Sequence, residues 1–172
     1  TNIKIVSESG NESVPNEVGE IFSSSPYLFN GYWKKPKETA EALDSDGWLT
    51  VGDLAKKDDE GYLYIVDRKK DMVISGGINI YPREIEEILF QHPDVIDAAV
   101  IGVPDEKWGE VPCAFIESVK DKPVTEKELI DFCKETLAKF KVPKKIEFCE
   151  LPKTSTGKIQ KFELRKKAEE LS

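Results

Sequence analysis

At 172 residues, with 39% hydrophobic and 34% charged residues, the chain is long enough to form one or two globular domains with a real core. Its formal net charge of −8 argues against general nucleic-acid binding. No apolar run approaches the roughly 18 residues that a membrane-spanning helix needs, so we predict no transmembrane segment.

Cysteine and histidine usage excludes several kinds of site. Cys113, Cys133 and Cys149 are odd in number and widely spaced, which is atypical of a disulfide framework or a zinc site. We therefore expect reduced, mostly buried thiols, no metal site and a cytoplasmic location. His92 is the only histidine, so this chain alone cannot build a Ser-His-Asp triad, a Cys-His pair or a multi-histidine metal centre.

Residues 1–30 read as a small β unit with strands near Ile3–Val6 and Gly19–Phe22, and residues 31–61 contain turns at Asp46-Gly47 and Glu60-Gly61. A short helix is predicted over Lys37–Leu43, and the aromatic pair Tyr32–Trp33 is interpreted as core. Because too few strands are present to complete a sheet, we expect the chain to begin inside a domain.

The segment Asp67–Glu86 shows the sharpest change of pattern. It follows a predicted strand at Tyr62–Val66 and opens with five charged residues, Asp67–Asp71, which could be buried only at a large desolvation cost. Three apolar residues follow, and then Ser75–Gly77 frees the backbone. This pattern fits an ordinary strand–loop–strand with solvated charges, or a joint on which one domain turns against another.

Strands and helices alternate from Pro82 onward, which predicts a compact α+β domain of about 100 residues. A capping box at Thr125–Glu128 starts a helix that should end at Val142–Pro143. The remaining predicted elements are a helix at Pro82–Phe90, strands at Val95–Val103, Val111–Val119 and Lys145–Glu150, and a basic helix from about Gln160.

The end of the chain is basic, with ten Lys and Arg against five Asp and Glu from Lys139 to Ser172. Either a solvated helix face or a site for phosphate-like anions would explain this excess. The loop Thr154–Lys158 joins hydroxyls, a glycine and a lysine, a combination that suits an anion. It lacks the first glycine of a Walker loop, so nucleotide binding does not follow from the loop alone.

Taken together, several motifs resemble, in the same order, the adenylate-forming family of acyl-CoA synthetases, peptide-synthetase adenylation domains and luciferases. The sequence of the motif Ser75–Pro82 is most similar to that of fatty-acyl- and related acyl-CoA synthetases. The motifs are Gly31-Tyr32-Trp33, Asp46–Asp53, Gly61-Tyr62-Leu63, Asp67–Asp71, Ser75–Pro82 and Pro152–Lys158.

The resemblance implies a role for each of several residues. Asp53 would accept hydrogen bonds from the ribose hydroxyls of ATP, and Arg68 would approach the same nucleotide. Lys158 would be the catalytic residue that reaches the carboxylate and the α-phosphate during adenylation. Lys70 falls at the family's hinge position.

The resemblance also implies which residues contact CoA and where the chain divides into domains. Gly76 and Gly77 would present a face to CoA, with Gly77 lining the passage for the pantetheine arm. Residues 1–67 would be the last, β-rich part of a large ATP- and acyl-binding domain, and residues 68–172 the small mobile C-terminal domain.

The implied activity joins a carboxylic acid, expected to be a fatty acid, to CoA, using ATP with Mg²⁺ and releasing AMP and pyrophosphate. The phosphate loop and acyl pocket would come from the rest of the large domain, so the isolated chain should have negligible ligase activity. A non-catalytic binding or regulatory module, a peptide-synthetase domain and a luciferase-like enzyme are the alternatives.

Overall fold

A computed structural model describes residues 1–120 and 124–170, and the chain divides into two compact units, Thr1–Lys70 and Asp71–Ser172. Within the described part of the chain, the helices are too short or too polar to cross a membrane.

The first unit is a four-stranded antiparallel sheet in the order β1-β2-β3-β4. The predicted strands and the short helix of this region are confirmed, whereas the sequence analysis does not predict β3. The elements are β1 (Asn2–Val6), β2 (Gly19–Ser24), α1 (Pro36–Ala42), β3 (Leu49–Lys57) and β4 (Leu63–Arg68).

The core of the first unit is small, and two expectations about burial are wrong. Trp33 is 86% exposed and Tyr32 is 46% exposed; Tyr32 packs only locally, edge-to-face on Phe29 at 4.8 Å between ring centroids. Asp67, expected to be solvated with its charged neighbours, is only 8% exposed. Its carboxylate accepts a hydrogen bond from the Arg68 backbone N–H at 2.7 Å, which offsets part of the desolvation cost.

Within residues 71–120 and 124–170, the second unit is a mixed five-stranded sheet with three α-helices, which confirms the predicted α+β class. Its strands run in the order β6-β5-β8-β7, and β9 pairs in parallel with β8. The elements are β5 (Val73–Ser75), β6 (Ile78–Ile80), α2 (Pro82–Leu89), β7 (Val95–Asp105), β8 (Gly109–Ser118), α3 (Glu126–Thr136), β9 (Lys145–Phe148) and α4 (Lys161–Glu170).

The long apolar strands of the second unit are buried on both faces. Alternate residues of β7 enter different clusters: Val100 packs in the cluster that includes α2 and α3, and Ile101 packs in the cluster that includes Leu164 of α4. Because side chains alternate along a strand, helices on both faces require an almost continuous apolar sequence. This double coverage fixes α4 against one face of the sheet.

Helix α3 begins as predicted but ends earlier. Thr125 and Glu128 form the capping box, in which the hydroxyl of Thr125 accepts from the Glu128 N–H and the Glu128 carboxylate accepts from the Thr125 N–H. The helix stops at Thr136 rather than at Val142–Pro143, because Leu137 takes an extended conformation with φ −88° and ψ 147°. That conformation places the Leu137 side chain in the core.

The three thiols are free, and Cys113 and Cys133 are buried, as expected. Burial raises the pKa of Cys113 and of Cys133 to about 11. At pH 8 only about one such thiol in a thousand is the reactive thiolate.

We therefore expect iodoacetamide to modify the partly exposed Cys149 at least about tenfold faster than it modifies Cys113 and Cys133. Peptide mass spectrometry after modification of the native chain measures the three rates. Equal rates at all three cysteines in folded protein would show that burial does not protect Cys113 and Cys133.

Candidate functional site

Asp53 and Arg68, two of the predicted nucleotide-binding residues, are neighbours in the first unit. They lie opposite each other on β3 and β4, and Nε of Arg68 is 2.8 Å from Oδ1 of Asp53. Side-chain exposures of 25% for Asp53 and 55% for Arg68 leave both groups accessible to a ligand. The pair therefore combines an oriented carboxylate, which accepts from hydroxyls, with a guanidinium, which donates to anions.

A cavity of about 350 Å³ lies beside this pair, lined by Val51, Gly52, Arg68, Lys69 and Lys70. The amine of Lys69 is 2.7 Å from the Glu20 carboxylate, which holds that side chain in place. The cavity thus presents fixed positive charge next to the Asp53 carboxylate. Such a combination suits a ligand that carries both hydroxyls and phosphates.

The predicted hinge residue, Lys70, is the last residue of the first unit. It lies in a 3-10 turn, Lys69–Asp71, and is exposed. A single turn of 3-10 helix has poorer hydrogen-bond geometry than α-helix and is a common connector between other elements.

Gly76 and Gly77 form the two-residue turn of the β5–β6 hairpin, with φ of +57° and +80°. Positive φ at both central residues is the type I′ geometry, which glycine adopts without steric cost. The two glycines differ in their surroundings: a Cβ on Gly76 would lie 2.7 Å from the ring of Trp108, whereas a Cβ on Gly77 would meet nothing within 4 Å.

Trp108 is the residue of this region that the sequence analysis missed. The Gly76 N–H donates to the Trp108 carbonyl at 2.8 Å, the amine of Lys107 lies 4.8 Å from the indole ring, and nearly half of the side chain is exposed. A half-exposed tryptophan in the polar turn Asp105–Gly109 was the signal that could have found it, since large exposed aromatics often contact ligands.

Lys158 projects from a tight loop held by its own backbone. The N–H of Thr154 donates to the Lys158 carbonyl at 2.8 Å, and the Lys158 N–H donates to the Thr154 hydroxyl at 3.1 Å. Gly157, with φ +83°, completes the turn. The Lys158 side chain is exposed, and within residues 1–120 and 124–170 its amine forms no ion pair.

Several other cations in this part of the chain are held by carboxylates. The amine of Lys153 is 2.6 Å from Asp97 and 3.4 Å from Glu117, and the hydrogen bond to Asp97 raises the pKa of Lys153. Lys161 and Arg165 on α4 also form ion pairs. Lys158 therefore differs from these three cations, since among the described residues no carboxylate holds its exposed amine.

The structure places Asp53, Arg68 and Lys70 in the first unit, and Gly76, Gly77 and Lys158 in the second. Among the residues that the structure describes, no group of three or more His, Cys, Asp or Glu side chains could hold a metal ion.

Comparison with known proteins agrees with the sequence motifs. The family described as the AMP-binding enzyme C-terminal domain matches residues 84–158. The 2-succinylbenzoate–CoA ligase of Bacillus mycoides is 50% identical over 158 residues, which are 91% of this chain and 32% of that protein.

Two solved structures share the fold. ATP-bound MatB from Rhodopseudomonas palustris superposes with a TM-score of 0.91 at 37% identity, over 99% of this chain and 34% of that one. The o-succinylbenzoate CoA synthetase (MenE) of Bacillus subtilis, in complex with the acyl-adenylate intermediate OSB-AMP, gives 0.87 at 41% identity, over 95% and 33%. The chain thus spans about a third of the length of these relatives. Residues 84–158 form an AMP-binding enzyme C-terminal domain, and over nearly its whole length the chain is similar to about a third of the length of the 2-succinylbenzoate–CoA ligases.

Proposed function

We propose that this chain is the catalytic C-terminal part of an acid–thiol ligase that converts a carboxylic acid, ATP and CoA into acyl-CoA, AMP and pyrophosphate. The observation that carries the proposal is the exposed amine of Lys158 on its hydrogen-bonded loop, between Lys153 and Lys161, whose amines are ion-paired. An amine in this state can approach a carboxylate or a phosphate without first breaking an ion pair.

In the first half-reaction a carboxylate oxygen of the acid attacks the α-phosphorus of ATP. The bond to pyrophosphate breaks, pyrophosphate leaves with the electron pair, and an acyl-adenylate forms. The Lys158 ammonium neutralises the charge of the incoming carboxylate and of the α-phosphate, where repulsion between anions is greatest. Asp53 accepts from the ribose hydroxyls, and Arg68 orients the Asp53 carboxylate.

In the second half-reaction the CoA thiolate attacks the carbonyl carbon of the acyl-adenylate and AMP leaves. We propose that the second unit first turns about Lys70, which removes Lys158 and presents the Gly76–Gly77 hairpin. One site cannot be complementary to two different transition states, so a change of conformation between the steps lets the same ligase catalyse both.

We also propose that the chain works as part of a longer ligase, whose preceding domain supplies the phosphate loop and the acyl pocket. The chain spans about a third of its relatives, and the first unit exposes several large apolar side chains on or beside β4. Exposed apolar surface of this kind marks an interface. The isolated chain should form no acyl-CoA; robust acyl-CoA formation by it would overturn this part of the proposal.

The acid that we propose is 2-succinylbenzoate or a similarly compact aromatic acid. Relatives 48–50% identical to the chain are 2-succinylbenzoate–CoA ligases. This similarity favours an aromatic acid over the fatty acid that the motif Ser75–Pro82 led us to expect.

In the complete ligase, we expect acid-dependent exchange of pyrophosphate into ATP to be at least about tenfold faster with 2-succinylbenzoate than with a long-chain fatty acid. The opposite preference would restore the fatty-acid assignment, and no exchange with any carboxylic acid would refute the proposed reaction.

The Gly76–Gly77 hairpin gives a prediction for the second half-reaction. A methyl group at Gly77 would project into open space, where we propose that the pantetheine arm passes. Gly77→Ala should therefore slow thioester formation about tenfold and leave adenylate formation unchanged, apart from a loss of about 1 kcal/mol in the free energy of unfolding from the positive φ. Rapid-quench measurement of both half-reactions checks this.

Gly76→Ala is the matched control for that prediction. It adds the same methyl group with similar backbone strain, but its new atom meets Trp108 rather than open space. We expect Gly76→Ala to lower the melting temperature more than Gly77→Ala does. A Gly77→Ala enzyme in which both half-reactions slow equally would contradict the assignment of the passage.

A further inference from the structure

We propose that the ion pair between Asp71 and Arg165 is a positioning contact, which ties the first residue after the hinge to the helix that follows the catalytic lysine. The proposal rests on the proposed function, because it explains how turning at Lys70 is passed on to Lys158. Arg165 acts through Asp71 and α4, and contacts neither substrate nor nucleotide in this account.

The contact is close and largely sheltered from solvent. Nη2 of Arg165 is 2.6 Å from Oδ1 of Asp71, and the two side chains are 35% and 12% exposed. A charge-assisted hydrogen bond in such a position is stronger than one between exposed side chains. Loss of the arginine would leave a carboxylate with little access to water and without this partner.

The helix that carries Arg165 is itself fixed to the sheet. Leu164 is 1% exposed and packs in the cluster that contains Phe115. The amine of Lys161 is 2.7 Å from Oε1 of Glu86, and the same oxygen accepts from the Val100 backbone N–H at 2.7 Å. Asp71 is therefore tied to a rigid element of the second unit.

The loop of Lys158 leads directly into the same helix. Lys158 precedes the first residue of α4, Lys161, by three positions, and the Gln160 N–H between them donates to the Pro152 carbonyl at 2.8 Å. Helix α4 thus contacts the turn after the hinge through Arg165, and it directly follows the loop that carries the catalytic lysine. Without the Arg165 contact, residues 69–72 could change conformation locally, and a rotation at Lys70 would then not move α4 and the Lys158 loop by the same amount.

Trypsin cleavage after Lys69 and Lys70 tests this contact in the full chain. Arg165→Gln leaves the sequence around both cleavage sites unchanged, so any change in rate reports the freedom of the turn. We expect cleavage at these two bonds to be at least about tenfold faster than in the wild-type chain, corresponding to about 1.4 kcal/mol. Lys166→Gln, which removes the same charge from the adjacent exposed position of α4, should leave the rate unchanged.

Two further measurements separate a local effect from general destabilisation. Arg165→Lys keeps a cation at this position and should restore most of the wild-type resistance. Cleavage after Arg83, in α2, should be unaffected by Arg165→Gln. An unchanged rate at Lys69 and Lys70, or an equal increase at Arg83, would overturn the proposal. If Arg165→Gln does not fold, Asp71→Asn removes the charge of the other partner of the ion pair. Faster amide hydrogen exchange than in the wild-type chain, confined to residues 70–73 of Asp71→Asn, would support the proposal, and exchange equal to that of the wild-type chain would overturn it.

Activity distinguishes failure of this inference from failure of the proposed function. In the complete ligase, Arg165→Gln should slow both half-reactions, whereas removal of the Lys158 amine should slow only the first. Faster cleavage in Arg165→Gln, together with a wild-type ligase that makes no adenylate, would refute the proposed function and leave the positioning contact supported. Adenylate formation by the wild type, with unchanged cleavage in Arg165→Gln, would refute the positioning role alone.

Discussion

Replacing Lys158 with alanine in the complete ligase is expected to reduce acid-dependent pyrophosphate exchange about 100- to 1000-fold, the usual effect of removing one group that stabilises charge in a transition state. The reason is electrostatic: without the ammonium, the carboxylate and the α-phosphate approach each other with one fewer positive charge between them. The exchange rate at saturating acid and ATP is the measurement, since it reports the first half-reaction without CoA.

The matched control is Lys153→Ala, in the same basic part of the chain. Lys153 is bound to Asp97 and Glu117, so its amine already has carboxylate partners. This substitution should affect the stability of the chain more than its exchange rate. If Lys153→Ala and Lys158→Ala reduced exchange equally, general loss of positive charge would explain both results and Lys158 would have no special role.

Lys70→Pro is expected to separate the two half-reactions. Proline holds φ near −65° and removes the backbone N–H, so it allows one conformation of the turn Lys69–Asp71 and disfavours others by about 3 kcal/mol. The half-reaction that needs the disfavoured conformation should slow at least about 100-fold, while the other stays within about threefold of wild type. Single-turnover measurement of adenylate and of thioester formation in the same preparation gives both rates.

Lys70→Ala is the control for this experiment. Alanine removes the same charge but leaves φ and ψ free, so both half-reactions should proceed at nearly wild-type rates. If Lys70→Ala were as damaging as Lys70→Pro, the Lys70 amine would be required for its charge and the hinge assignment would be wrong. Equal slowing of both half-reactions by proline would also contradict it.

The fold of the second unit could be predicted because its local and long-range signals agree. The run Val95–Val103 is almost continuously apolar, as a strand covered on both faces must be, and Thr125 with Glu128 starts a helix by the capping box that the sequence shows. In both cases a short stretch of sequence contains the physical cause of the structure.

Predictions failed where distant residues decide the outcome. Strand β3 contains Gly52 with φ +76° and a shift of register, so its hydrophobic pattern is broken and does not indicate a strand. The end of α3 depends on burial of Leu137, which no local residue signals. Tyr32 and Trp33 were assigned to the core from their hydrophobicity alone, but they lie on an exposed turn.

The candidate site shows the same division. Resemblance to the family supplied Asp53, Arg68 and Lys158, but only the structure shows that the first two form an ion pair and that the third has a rigid backbone. The contact of Asp71 with Arg165 joins residues that are 94 positions apart, and no sequence pattern links them.

The central claim is that Lys158 serves adenylate formation and is withdrawn before the thioester forms. The most direct test supplies purified acyl-adenylate and CoA to the Lys158→Ala ligase and follows acyl-CoA by rapid quench, so that the first half-reaction is bypassed. We predict thioester formation within about threefold of the wild-type rate, since the lysine is absent from that transition state. A loss as large as the loss in pyrophosphate exchange would mean that Lys158 acts in both steps, and would contradict the account.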